Sequence, residues 1–373
     1  MGRTMALAAM AILAAGFAAC SDPTPRPTAQ ASAPTLPPPA AAAPARVPAA
    51  PDVHPAPLAI PPIEASTAPG ADGIQQALWQ TAPRSPEDRR NALIRAEVLL
   101  ARAHFSPGVI DGVDGDNLKR AISAFEAAHG LPQDGQMSQA VWDALASADP
   151  RPVLTDYVIT PDDVKGPFVA RLPTDWRELA KLPAVGFTSP LEALAEKFHM
   201  DEALLKRLNP GADFGAAGTR IVVAALGPDR LPAPVARIEV DKSLRQVRAY
   251  GADDTLLAVY PATVGSAERP APDGTWPVKG VSRDPTYVFD PKRLTFGKPG
   301  YGKLTIKPGP NNPVGSTWIA LTLPTYGIHG APDPRLVGKT ASHGCVRLTN
   351  WDARQLADAV KPGVPVEFVG VET

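Results

Sequence analysis

The chain has 373 residues, enough for two or three domains, and its formal net charge is −1 at pH 7. No long basic run occurs, so nucleic acid is excluded as an expected partner. Proline is abundant, at 45 residues, and it concentrates before residue 75, so part of the chain is not expected to fold.

The N-terminal residues 1–19 form an export signal peptide. Arg3 supplies a small positive charge, and residues 5–17 are apolar but too short and alanine-rich for a transmembrane helix. Residues 17–20 resemble the lipobox of bacterial lipoproteins, with Phe17 in place of the usual Leu. That resemblance implies cleavage before Cys20 and a lipid anchor on its sulfur; an ordinary signal peptide is the alternative. Either interpretation predicts a location in the periplasmic cell envelope.

Residues 20–75 are rich in Pro, Ala, Ser and Thr. A segment of this composition cannot bury a core, so we expect a disordered, partly polyproline II tether. At about 3.1 Å per residue it would reach up to roughly 150 Å. Such a tether lets an anchored domain work at a distance from its membrane.

Residues 85–148 are predicted to form a small all-α domain of three short helices. Apolar residues recur at helical spacing, Asp-Gly pairs mark the turns, and Ser138 is a plausible N-cap of the third helix. The pattern resembles the peptidoglycan-binding domain found beside many cell-wall enzymes; a generic three-helix bundle is the alternative. The resemblance rests on residues 108–112, 121–125, 130–131 and 134–135.

Residues 155–228 are predicted to form a small α+β unit. Residues 189–192 are a capping box with Pro190 at the first helical position, a second helix ends at 209–211, and residues 220–224 are predicted to be a strand. With a first strand at 157–159, the order resembles a LysM glycan-binding module. Some two dozen residues separate that strand from the capping box, more than this family allows, so a linker domain is the alternative.

Residues 235–370 are predicted to form a mainly β domain, a sandwich or barrel-like sheet. Short alternating segments are separated by regular turn signals, and residues 256–264 are predicted to be one strand. The only amphipathic helix expected in this region is 351–360.

Cys345 is the only cysteine outside the leader, and it lies in the run Ser-His-Gly-Cys-Val-Arg-Leu. A solitary thiol in an exported protein is explained better by reactivity than by packing, although a buried structural cysteine is the alternative. Thiol acyl transfer needs a base, and both His329 and His343 are candidates. Gly344 lets the backbone turn sharply and present amides to a carbonyl oxygen.

Residues 328–330 and 342–348 together resemble the signature of the L,D-transpeptidase catalytic domain of the YkuD type, and the likeness extends over roughly residues 236–369. It includes 272–276, which is similar to the family's Thr-Pro-x-Gly-x-Phe motif with Ala271 in place of Thr, as well as 312–315, 350–353 and 363–366. The resemblance implies that Cys345 is the nucleophile and His329 its proton acceptor, with the Gly330 carbonyl orienting the imidazole.

The same resemblance implies supporting roles for neighbouring residues. His343 would shape the site, and the amides of Gly344 and Cys345 would form the oxyanion hole. Arg347 would either fix the loop or meet a substrate carboxylate, and Ser342 and Tyr326 are also predicted to bind substrate.

The implied reaction is attack on the third residue of a peptidoglycan tetrapeptide stem, release of D-Ala, and resolution of the thioester by a stem amine to give a 3→3 cross-link. Resolution by water or by a protein amine would make a carboxypeptidase or an anchoring enzyme. No cofactor is expected, and no metal, because no ligand spacing is present. A non-catalytic lipoprotein that binds peptidoglycan stems and glycan is the alternative of another class.

Overall fold

The computed structural model describes residues 63–266, 269–292, 294, 300–342 and 344–372. The predicted signal peptide, Cys20 and the predicted tether up to residue 62 lie outside the described residues. Among those described, no helix has the length and apolar character needed to cross a membrane.

The helical region contains four helices. They are α1 (Ala71–Gln75), α2 (Pro86–Arg102), α3 (Asp116–His129) and α4 (Gln139–Ala148). The side chains of Ser85 and Ser138 accept hydrogen bonds from backbone amides of the first turns of α2 and α4, which satisfies donors that the helix itself cannot. The three helices expected over 85–148 and the Ser138 cap are therefore confirmed.

The expectation that the disordered tether extends to residue 75 is wrong for residues 63–75. Ala71 and Ile74 of α1 are buried, and the Gln75 side chain donates to the Leu154 carbonyl at 2.7 Å. Ser66 also donates its backbone N–H to that carbonyl. Composition suggested an unfolded segment, but one isoleucine and a few specific hydrogen bonds fix this end to the folded body.

Residues 154–224 form a strand–helix–helix–strand unit that carries an additional short helix after its first strand. Its elements are β1 (Leu154–Val158), the short α5 (Trp176–Leu179), α6 (Pro190–Lys197), α7 (Glu202–Leu208) and β2 (Arg220–Ala224). β1 and β2 pair antiparallel, and Ser189 caps α6 as predicted. The first strand begins at Leu154, earlier than the predicted 157. Residues 159–189, which contain α5, are called the inserted segment below.

In its described residues, the third region contains two five-stranded sheets, a separate pair of strands and one α-helix. The first sheet has the order β5-β4-β3-β14-β7, and the second has the order β6-β13-β12-β11-β8. The strands of the first sheet are β3 (Arg237–Asp241), β4 (Gln246–Tyr250), β5 (Leu256–Pro261), β7 (Gly274–Thr275) and β14 (Val366–Val369). Those of the second are β6 (Thr263–Val264), β8 (Val278–Arg283), β11 (Thr317–Leu321), β12 (Gly327–His329) and β13 (Val346–Arg347).

The predicted strand over 256–264 is divided at Ala262, where the chain leaves the first sheet as β5 and enters the second as β6. β9 (Tyr287–Phe289) and β10 (Leu304–Ile306) form a separate antiparallel pair. The predicted helix is confirmed as α8 (Asn350–Ala359), which buries Leu356 and Ala353 in the core shared with both sheets. The mainly β character of this region is therefore confirmed.

The helical region is joined to the first sheet through backbone hydrogen bonds. Val259 of β5 donates to the His104 carbonyl at 2.8 Å and accepts from the Ser106 N–H at 2.9 Å. Ile110 makes the same kind of reciprocal pair with His199 and Asp201 of the strand–helix–helix–strand unit. Both smaller regions are thus fixed to the two-sheet domain or to each other by paired main-chain groups.

Candidate active site

Two parallel strands bring the cysteine and a histidine together. β12 and β13 pair with Ile328 opposite Val346 and His329 opposite Arg347. Cys345, one residue before β13, therefore lies beside Gly327, one residue before Ile328. The strand that carries His329 thus lies beside the strand that follows Cys345.

Cys345 and His329 open into one cavity of about 730 Å³, called the thiol cavity. Arg347 and Tyr326, both named from sequence, also line it. Further lining residues come from the β9–β10 pair and its flanks and from the inserted segment, and they include Tyr287, Val288, Pro313, Trp318 and Trp176. The volume is that of a typical small-ligand pocket.

The Cys345 sulfur is half-buried at the cavity wall, 3.7 Å from the Thr325 carbonyl oxygen. Burial raises the pKa of its thiol, while the Gly327 N–H and the Arg347 guanidinium act in the opposite direction. The resting group is therefore a thiol, which needs a base at the moment of attack.

His329 is buried, with 3% of its surface exposed, and its ring stacks on Trp318 with centroids 5.3 Å apart. Its Nδ1 lies 2.7 Å from the Gly330 carbonyl oxygen. Since that oxygen can only accept, Nδ1 carries the proton and Nε2 is left with a lone pair. Burial, helped by the charge of Arg347, lowers the imidazole pKa to about 3. His329 is therefore a neutral base at physiological pH.

Gly330 has no room for a side chain. A Cβ there would lie 2.1 Å from Asn350 Oδ1, the oxygen that accepts the Ser316 N–H at 3.0 Å. Asn350, in the first turn of α8, thus packs directly against Gly330, whose carbonyl oxygen contacts His329.

Ser342 differs from its predicted role. It is buried, its hydroxyl donates to the Cys345 carbonyl at 2.6 Å, and it accepts the Gly344 N–H at 3.2 Å. Both contacts stay within the loop that carries Cys345, and Ser342 is not among the residues that line the thiol cavity. Gly344 has φ 108°, and a Cβ would lie 3.1 Å from the Tyr326 ring, which accounts for glycine here. His343 lies outside the described residues.

Three aromatic residues of the cavity were missed by sequence reasoning. Trp318 lies opposite His329 in the β11–β12 register, Tyr287 belongs to β9, and Trp176 belongs to the inserted segment. Burial, followed by the proximity of Cys345, raises the pKa of Tyr287 to about 12. The register of Trp318 follows from strand pairing, but no local sequence signal places Tyr287 or Trp176 beside the thiol.

The fold and site together define a domain that presents a thiol and an oriented imidazole in one cavity, an arrangement that suits acyl transfer. Comparison with known families agrees with this class. Residues 235–368 match the "L,D-transpeptidase catalytic domain" (YkuD) family, and residues 89–145 match a family described as "Putative peptidoglycan binding domain".

Several relatives are similar to about half of the chain. A Bacillus licheniformis protein named "Putative L,D-transpeptidase YkuD" is 31% identical over 48% of this chain and 92% of its own length. Its Bacillus subtilis counterpart is 28% identical over 47% of this chain and 91% of its own length. "Probable L,D-transpeptidase ErfK/SrfK" of Escherichia coli is 29% identical over 49% of this chain and 60% of its own length.

The chain belongs to the YkuD family of L,D-transpeptidases. It is a multidomain peptidoglycan L,D-transpeptidase, an acyltransferase with a helical peptidoglycan-binding region joined to its mainly β catalytic domain.

Proposed function

We propose that the enzyme works through a thioester on Cys345 and joins peptidoglycan stem peptides by 3→3 cross-links. The observation that carries this proposal is the pairing of a thiol with a neutral, oriented imidazole in a single cavity. The substrate class comes from the family, and the assignment of roles comes from the contacts of each residue.

In the first half-reaction His329 Nε2 takes the thiol proton as Cys345 Sγ attacks the carbonyl carbon of the third stem residue. The oxyanion that forms needs backbone donors. The Gly344 N–H already donates to Ser342 Oγ, so the Cys345 N–H is the main donor of the predicted pair. The C–N bond then breaks, His329 returns its proton to the leaving amine, and D-Ala departs.

In the second half-reaction a side-chain amine of another stem attacks the thioester. The C–S bond breaks, a C–N bond forms, and the amine proton passes through His329 to the thiolate. Water in place of the amine gives a carboxypeptidase, and a protein amine gives an anchoring enzyme, so the acceptor decides which of the three reactions predominates.

Among the described residues, Arg347 is one of three cationic residues that line this cavity, with Arg269 and Lys303, and it lies two residues after Cys345. Burial lowers the pKa of the Arg347 guanidinium. The groups that raise this pKa are Cys345 and Tyr287, and neither is an Asp or Glu. A buried cation without a carboxylate partner attracts an anionic ligand. We propose that Arg347 binds a carboxylate of the substrate and that Tyr326 contacts the substrate from the neighbouring side of the cavity.

We propose that the remaining regions hold the catalytic domain close to the peptidoglycan cell wall. The signal peptide and a lipid on Cys20 would anchor the protein in the periplasmic envelope, and residues 20–62 would provide reach. The helical region would hold peptidoglycan. The strand–helix–helix–strand unit has the element order of a LysM module, which supports a glycan-binding role for residues 155–228.

The test uses the purified protein and a disaccharide-tetrapeptide. Mass spectrometry of the products should reveal D-Ala release and a dimer linked between two third residues, and Cys345→Ala should form neither. Tripeptide without dimer would identify the carboxypeptidase. Unchanged substrate with the wild-type protein would overturn the enzyme proposal in favour of a non-catalytic wall-binding protein.

A further inference from the structure

A second cavity of about 450 Å³ adjoins the thiol cavity. The two share three lining residues, Trp176, Pro313 and Arg347. Cys345 and His329 line only the first. The second cavity therefore lies next to the reacting groups without containing them.

One wall of the second cavity is the inserted segment, which supplies Leu172, Pro173, Thr174, Trp176 and Leu179. This segment precedes the residues that match the L,D-transpeptidase family model, 235–368. The cleft of this enzyme is thus completed by a part of the chain that the catalytic domain alone does not include.

The inserted segment is fixed firmly where it meets the two-sheet domain. The Val185 N–H donates to the Pro308 carbonyl at 3.0 Å, and the Val185 carbonyl accepts the Asn311 N–H at 3.1 Å. Asn311 Nδ2 donates to the Gly186 carbonyl at 3.0 Å. Val185 itself is fully buried with Leu179 and Ile306. These contacts make the wall a constant part of the cleft.

Trp176 is held by an aromatic cluster. Its ring lies 5.7 Å from Tyr287 and 5.4 Å from Phe289 in edge-to-face geometry, and 6.2 Å from Tyr301. Its backbone N–H donates to the Tyr301 hydroxyl at 3.3 Å. The indole therefore has a fixed position at the junction of the two cavities.

The lining of the second cavity outside the inserted segment is mostly apolar, and it includes one unusually exposed leucine. Leu336 lines the second cavity and is 50% exposed, beside Ala331, Pro332 and Val337. A large aliphatic side chain exposed within a cavity is suited to an apolar ligand surface. Two charged residues also line the second cavity. Arg347 lies where the two cavities meet, and the Asp333 carboxylate is paired with Arg335.

We propose that the second cavity is the acceptor subsite, which binds the stem peptide whose amine resolves the thioester. This inference rests on the proposed function. A two-substrate acyl transfer needs a place for the second stem while the first occupies the thiol cavity. Alanine methyls and the methylene chain of a diamino acid fit the apolar walls, and Arg347 attracts the stem carboxylate. The side-chain amine of that stem then extends past Trp176, where the two cavities meet, to reach the acyl carbon of the thioester.

The test compares Leu336→Asp with Leu244→Asp in the full chain. Leu244 is also an exposed leucine, at 45%, and it lies between β3 and β4 away from both cavities. Acylation by a carbapenem reports the first half-reaction. Dimer formation from saturating tetrapeptide donor and a varied synthetic tripeptide acceptor reports the second.

For Leu336→Asp we expect acylation within about twofold of wild type and about a tenfold higher acceptor concentration for half-maximal dimer formation. Leu244→Asp should match wild type in both, and equal melting temperatures would establish that both variants fold. Equal acceptor dependence in the two variants, or equal losses of acylation and dimer formation in Leu336→Asp, would overturn the subsite. Wild-type protein that is acylated by the carbapenem but never forms dimers would also overturn the acceptor subsite. Absence of wild-type acylation would instead refute the proposed function.

Discussion

At the scale of single residues, burial is the main influence on both reacting groups. It raises the Cys345 thiol pKa and lowers the His329 imidazole pKa to about 3, so the resting pair is uncharged. An uncharged pair avoids the cost of two buried ions and forms the thiolate only as substrate is attacked. In the proposed mechanism His329 therefore works as a general base, not as the imidazolium of a preformed ion pair.

This electrostatic state predicts an unusual pH profile. A histidine of ordinary pKa would be protonated below about pH 6.5 and lose its function as a base. With a folded-state pKa of about 3, His329 stays neutral between pH 7 and 5. Carbapenem acylation rates should therefore show no histidine inflection in this window, whereas an inflection near pH 6.5 would contradict the buried neutral base.

Substitution of Arg347 offers a second test of the protonation state of His329. The positive charge of Arg347 disfavours the imidazolium and contributes, after burial, to the lowered pKa of His329. Arg347→Gln should therefore raise that pKa and move the acid limb of the acylation profile to higher pH. Lys339→Gln, an exposed cation of the preceding loop, is the control and should leave the limb in place. An unmoved limb in Arg347→Gln would refute the coupling.

At the scale of elements, the inserted segment depends on one close backbone approach. Gly309 has φ 144°, and a Cβ there would lie 2.1 Å from the Val185 carbonyl oxygen. Gly309→Ala should therefore displace the segment at a cost of about 1–3 kcal/mol in the free energy of unfolding. Gly302→Ala is the matched control, since no atom lies within 4 Å of its added Cβ.

Denaturant unfolding measures the stability of both glycine variants, and limited proteolysis measures opening of residues 159–189. We expect lower stability and faster cleavage in this segment only for Gly309→Ala. If the two variants behave alike, the segment is not held by the 308–311 backbone.

Elements with local signals were predictable from sequence. The Ser138 and Ser189 caps, the strand at 220–224 and the α8 helix all carry short-range patterns, and the structure has each of them. The motifs that contain His329 and Cys345 were also recognisable from sequence, and β12–β13 pairing brings them together.

Features that depend on distant contacts were not predictable. The burial of Ile74, within the predicted tether, depends on packing of α1 against α2 and β1, which composition does not reveal. Trp176 lies 169 residues before Cys345, and only the folded chain brings it to the cavity. Ser342 was assigned to substrate because it belongs to the motif, whereas its hydroxyl bonds to the loop that holds the thiol.

At the scale of the whole molecule, the first turn of α8 is where the regions meet. Asn350 Nδ2 donates to both carboxyl oxygens of Glu196 at 3.1 Å, and the Ser106 hydroxyl donates to Asp352 at 3.0 Å. His199 stacks on Trp351 with centroids 4.7 Å apart. Both smaller regions thus contact the helix that also positions Gly330, so their docking supports the active site.

Glu196 makes that docking dependent on pH. Burial raises the pKa of its carboxyl from 4.5 to about 7. Between these values the folded protein holds a proton that the unfolded chain has lost, so the stabilising contribution is full below pH 4.5 and is lost as pH rises through 7. Glu196→Gln removes this dependence while keeping an acceptor for Asn350.

The stability of Glu196→Gln relative to wild type should therefore increase from pH 5 to pH 8, by about 1–3 kcal/mol. Denaturant unfolding at several pH values measures the difference, and the exposed Glu178→Gln is the control. A difference that stays constant with pH would show that Glu196 is not buried against Asn350 in solution.

The central claim is that Cys345 is the acyl-carrying nucleophile, and intact-protein mass spectrometry after incubation with a carbapenem tests it most directly. The expected result is an increase by the mass of one carbapenem in the wild-type protein and none in Cys345→Ala, because the thiol beside His329 opens the lactam and retains it as a thioester. An adduct on neither protein, or an equal adduct on both, would contradict the claim.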